Sequence, residues 1–104
     1  VNSMGIEALD GLVFPSVQVA PPTRQQLNDR LWTTLTFPTN TLISSQTWMP
    51  AATVPAGFTD DGLPVGLEFL VKPYAEPTMF RLAYAFEQAT FHRRAPSSTP
   101  ELSL

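Results

Sequence analysis

The sequence predicts an α/β fold, and three observations carry that prediction. Leu12-Val13-Phe14 is a short apolar run stopped by Pro15. Ala51-Ala52-Thr53-Val54 and the alternating Val65–Lys72 flank an Asp-Gly turn. Residues from Pro77 to Phe91 place apolar side chains at helical spacing. The 104 residues allow one domain at most. Charged residues make up only 14% of the chain, against about 25% in an average soluble domain. With 43% apolar residues, this excludes charge-rich disorder and leaves few charges to cover the surface of a free-standing domain. Such a composition suits a piece of something larger, and Val1 in place of an initiator methionine leads to the same expectation.

Taken in order, Met4 to Leu9 is a short helical or irregular lead-in closed by Asp10-Gly11. Leu12-Val13-Phe14 reads as a buried strand, because Pro15 lacks the N–H that a ladder needs. Ala20-Pro21-Pro22-Thr23 is an extended connector. A helix is predicted over Arg24–Leu35, with Thr23 as its N-cap and Leu27, Leu31, Trp32 and Leu35 at helical spacing. Thr39 to Met49 is rich in hydroxyl residues and is predicted to be a polar, loop-like segment.

Ala51–Val54 and Val65–Lys72 then form an antiparallel hairpin around Thr59-Asp60-Asp61-Gly62. Val65, Leu67, Phe69 and Val71 share one face, and Gly66 leaves room for a close neighbour. Pro77 opens a helix, where its missing N–H costs nothing. Met79, Leu82, Ala83, Phe86 and Thr90 form one stripe of that helix, and Phe80, Tyr84 and Phe91 form a second. A helix apolar over so much of its circumference is normally covered on more than one side. Glu87, on the same helix, is expected to pair with a group outside this chain. His92, Arg93 and Arg94 are expected to close the helix at its negative dipole end.

Several function classes are excluded at this level. A net charge of −3, with no basic run longer than Arg93-Arg94, gives nucleic acid no electrostatic footprint. One His and no Cys argue against a metal site and exclude thiol chemistry, and no cofactor is expected. No apolar run approaches the ~20 residues that span a bilayer. The first residues lack the basic start and apolar core of a signal peptide, so a cytoplasmic location is expected.

Three blocks, in order, then carry a family resemblance. Met49-Pro50-Ala51-Ala52-Thr53-Val54-Pro55-Ala56-Gly57-Phe58 is followed by Asp61-Gly62-Leu63-Pro64-Val65-Gly66-Leu67-Glu68, and then by Leu82-Ala83-Tyr84-Ala85-Phe86-Glu87-Gln88-Ala89. Together they resemble the C-terminal part of amidase-signature hydrolases, whose patterns read P-A-x-x-V-P-A-G-F, G-L-P-V-G-L-Q and A-Y-A-x-E. Asp10-Gly11-Leu12-Val13-Phe14-Pro15 is similar to the family's D-x-L-x-x-P strand. The resemblance implies a fragment of an α/β fold with a large mixed β-sheet between helices. To that fold this chain would contribute a short strand, a β-hairpin and a C-terminal helix. Residues 1–95 would be the C-terminal portion of an amidase domain, and 96–104 a Pro/Ser-rich tail.

The implied chemistry is carboxamide hydrolysis by a Ser–cis-Ser–Lys triad, with backbone N–H groups of a Gly/Ser-rich loop stabilising the oxyanion. Those elements belong to the N-terminal and central portions of the family, and no position here matches them, so no catalytic residue is assigned. Ser44-Ser45 lacks the glycines of the nucleophile loop and reads as ordinary loop hydroxyls. The resemblance does place the segment before the Pro50 strand near the substrate. Ser45, Gln46, Thr47 and Trp48 are therefore the candidate substrate-binding residues. Many members of the family it resembles show N-L-x-G-x-P at this point, where this chain has the larger Ser45-Gln46-Thr47-Trp48-Met49-Pro50.

The remaining polar candidates have plainer readings. Lys72, the only lysine, is a solvated strand end. Asp60-Asp61 is explained by turn chemistry, and Trp32 and Trp48 suit core or interface packing better than a pocket. The expected partners are the N-terminal portion of the same amidase and a small-molecule amide substrate. The competing reading is a non-catalytic interaction module that docks a partner through its apolar helix face.

Overall fold

The computed structural model describes residues 9–33, 35–99 and 101–103. The expected lead-in over Met4–Leu9 lies outside them except for Leu9. Six elements follow in chain order: β1 (Leu12–Pro15), α1 (Arg24–Asn28), α2 (Leu42–Thr47), β2 (Ala51–Phe58), β3 (Pro64–Leu70) and α3 (Glu76–Thr90). The strands form one antiparallel sheet in the order β1-β3-β2. This is a small mixed α/β unit with β3 at its centre.

The hairpin forms as its sequence dictates. The Thr59 carbonyl accepts a backbone bond from Gly62, its hydroxyl donates to Asp61, and Gly62 takes the positive φ of 86° that the turn requires. Ala52 faces Phe69 and Val54 faces Leu67. In an antiparallel pair such opposed residues share a face of the sheet. That face, with Phe69 and Val71 at its centre, packs on Met79, Ala83, Leu82 and Phe86 of α3. Phe69 and Phe86 meet edge to face, with ring centroids 6.1 Å apart.

The opposite face of β3 is covered from another direction. Leu70 is fully buried with Met49, and Leu12, Phe14, Ile43 and Ala51 close around them. The neighbouring Glu68 is also buried, facing Phe14 on one strand and Thr53 on the other. Gly66 fulfils its expected role: a Cβ there would stand 2.6 Å from the Thr53 methyl group. Two prolines sit in the outer strands. Pro15 ends β1, and Pro55 precedes the extra residue Ala56, where the register slips between Pro55 and Gly57.

Four expectations need correction. The strand at Leu12 runs through Pro15 and is only half-buried, because it is an edge strand with Val13 turned to solvent. The helix predicted over Arg24–Leu35 stops at Asn28. Thr23 and Gln26 form a reciprocal capping box, but no residue of α1 is buried and Arg30 turns left-handed at φ 56°. Leu27, Leu31 and Leu35 are exposed among the described residues, so little of the apolar stripe is buried and propensity alone does not extend the helix.

The segment Thr39–Met49, expected to be loop-like, contains α2. Its hydroxyls do not compete with the helix, because they bond back to it: Thr47 Oγ1 donates to the Ile43 carbonyl at 2.6 Å and Ser45 Oγ to Leu42 at 3.1 Å. Helix α3 ends at Thr90 with Phe91 as a left-handed C-cap, so the basic trio lies beyond it. His92 instead stacks beside Phe86, and the Arg94 guanidinium lies 3.7 Å over the Phe58 ring. Glu87, expected to pair with a group outside this chain, is half-buried.

Candidate functional site

The site is built where α2 hands the chain to β2. Helix α2 closes on Trp48, whose backbone N–H donates to the Ser44 carbonyl while its φ and ψ take the left-handed values 59° and 30°. Met49 then turns inward onto Leu70, and Pro50 accepts a bond from the Val71 N–H at 3.1 Å. Because Ala51 is paired with Leu70, this bond sets the segment before β2 directly beside the segment after β3. Ser44, Ser45, Trp48, Met49 and Pro50 thereby line an open surface cavity of about 620 Å³ with Pro73, Tyr74 and Glu76.

Of the four candidate residues, Ser45 and Trp48 line this cavity; Gln46 and Thr47 do not. Gln46 is exposed on α2, and Thr47 uses its hydroxyl to cap the Ile43 carbonyl. Trp48 is 88% exposed, which removes it from the core. Trp32 takes the packing role instead, meeting Phe37 edge to face at 5.9 Å. Sequence reading missed Tyr74 and Glu76. The hairpin register was the available signal, since pairing Ala51 with Leu70 brings the residues after β3 alongside Met49-Pro50.

The chemistry open to this cavity is binding. Ser44 Oγ donates to the Met49 carbonyl at 2.6 Å and Ser45 Oγ to that of Leu42, so both hydroxyl protons are held by backbone oxygens. A serine nucleophile needs a base that takes that proton. Lys72, exposed just past β3, does not line the cavity. What the walls offer is acceptor oxygens, from two hydroxyls and the Glu76 carboxylate, beside two large aromatic rings.

Residues 3–80 match a family model described as Amidase. The chain belongs to the amidase family. It is 38% identical over 96 residues to a glutamyl-tRNA(Gln) amidotransferase subunit from Dehalococcoides mccartyi, an alignment that covers 86% of this chain and 18% of that protein. The corresponding amidotransferase subunit from Desulforudis audaxviator is 49% identical over 61 residues, which cover 58% of this chain and 12% of the relative. Among solved structures, the native peptide amidase of Stenotrophomonas maltophilia superposes with a TM-score of 0.68 at 37% identity, over 88% of this chain and 17% of that one. PAM12A gives a TM-score of 0.72 at 36% identity, over 89% and 18%. The chain thus spans less than a fifth of the length of these relatives. Among the described residues, no helix is long and apolar enough to cross a membrane.

Proposed function

We propose that this chain is the C-terminal part of an amidase that hydrolyses carboxamide C–N bonds, with its Ser–cis-Ser–Lys machinery encoded upstream. In the whole enzyme, set in a large mixed sheet between helices and located in the cytoplasm, the segment supplies scaffold and part of the substrate pocket through Ser45 and Trp48, with Gln46 and Thr47 on the helix that carries them. One observation carries this reading: nearly the whole chain superposes on less than a fifth of a peptide amidase. The proton bookkeeping at Ser44 and Ser45 agrees with it, since neither hydroxyl is paired with a base. The second stripe of α3 agrees as well. Phe80, Tyr84 and Phe91 stand exposed on a helix that in an intact fold would be covered on that side. The same stripe is the one feature that favours the competing reading, a module that docks a separate partner.

The experiment compares the 104-residue chain with the longer polypeptide that carries it, following ammonia release from simple carboxamides. Turnover by the longer polypeptide, and none by the 104 residues alone, is expected. Ser44→Ala and Ser45→Ala in the longer polypeptide should chiefly change substrate preference. A loss beyond about a thousandfold for either would make it the nucleophile and overturn the assignment. A docking module would instead be soluble, monomeric and cooperatively folded by itself.

A further inference from the structure

Two aromatic side chains on the cavity described above are held in a backbone conformation that bulky residues avoid. Trp48, at φ 59°, closes α2; Tyr74, at φ 65°, sits in the turn between β3 and α3. They are also among the most exposed large side chains of the chain, at 88% and 94%. The Ala51–Leu70 pairing and the Val71–Pro50 bond place their two turns side by side. Arg30 and Phe91 take the same conformation at the ends of α1 and α3, but only beside this cavity does it fall on two aromatic residues whose turns adjoin. Glycine adopts the same conformation freely. The backbone at this point therefore gains nothing from tryptophan. The indole itself is what the position provides.

The chemistry of the walls narrows the ligand. The open depression of about 620 Å³ has room for one ring-bearing group laid against its wall. Trp48 and Tyr74 offer aromatic surface, which takes another ring in offset or edge contact. Glu76, half-buried in the first turn of α3, offers a carboxylate acceptor. We propose that Trp48 and Tyr74 form an aromatic clamp for a planar ring carried by the amide substrate, with Glu76 accepting from an amine next to that ring. This rests on the amidase reading of the chain and adds to it a substrate class and two residues, Tyr74 and Glu76.

The test uses the longer, active polypeptide with phenylalaninamide and alaninamide as probes. Trp48→Gly and Tyr74→Gly should each lower the ratio of kcat/KM for phenylalaninamide over alaninamide by about tenfold, mainly through KM. Trp48→Phe should retain the preference. Trp48→Gly should also hold or raise the melting temperature, because it relieves the left-handed strain. An unchanged ratio in both glycine variants overturns the clamp. So does a lowered melting temperature with both substrates affected equally, which would mean that the rings are packed under other parts of the polypeptide. Failure of the unsubstituted protein to hydrolyse either amide overturns the amidase reading itself, and the clamp with it.

Discussion

The Thr53 methyl group closes directly over the α-carbon of Gly66, at the distance where an added Cβ would collide with it. The two residues sit on neighbouring strands, Gly66 on the central one, and the Ser16 hydroxyl seals the same spot by pairing with that of Thr53 at 3.2 Å. Gly66→Ala should therefore cost about 1–3 kcal/mol by overpacking. Urea unfolding reads this directly, and Thr53→Ser in the same background should restore part of the loss by removing the methyl group.

Phe69 anchors the sheet to α3. Phe69→Ala removes a buried ring and its edge contact with Phe86, and a loss of about 3–5 kcal/mol is expected. Phe86→Ala should cost less, since Phe86 is only partly buried. A thermal unfolding series that ranked the two in the opposite order would contradict this packing.

The capping box at Thr23 leads to the reverse expectation. An N-cap usually contributes about 0.5–2 kcal/mol to its helix. Here α1 buries none of its residues, so its fraying is uncoupled from the sheet. Thr23→Ala should leave the global unfolding midpoint unchanged while amide exchange at Gln26 and Leu27 accelerates.

The outer stripe of α3 gives a prediction whose sign depends on context. Phe80→Glu with Tyr84→Glu should make the 104-residue chain less prone to associate, because it removes exposed apolar surface. In the longer polypeptide the same pair should destabilise, because it would bury two carboxylates. Light scattering on the short chain and melting of the long one read the two arms.

The elements legible in the sequence are those whose signals are doubled. The hairpin has both alternation and an Asp-Gly turn, and α3 has both a proline start and a core stripe that the sheet covers. Helix α1 had periodicity and a cap, yet Leu31 and Leu35 stay exposed, and its last turns did not form. Helix α2 was hidden because Ser44, Ser45 and Thr47 resemble a loop by composition. Whether such hydroxyls compete with a helix or bond back to it depends on the local backbone. At the cavity, Ser45 and Trp48 were legible through the family resemblance. Tyr74 and Glu76 became visible only through strand register, which joins segments far apart along the chain.

The kink at Ala56 bears on how this sheet could grow. A proline and an unpaired residue interrupt the outer rim of β2 halfway along, so an incoming strand could zip onto Ala51–Val54 but not continue past the break. On the other side β1 spans only four residues and ends in a proline. Any continuation of the sheet is thus confined to the end where the α2–β2 junction lies. That restriction guards the unaccompanied chain against indiscriminate edge-to-edge stacking while leaving one short berth for a neighbouring strand.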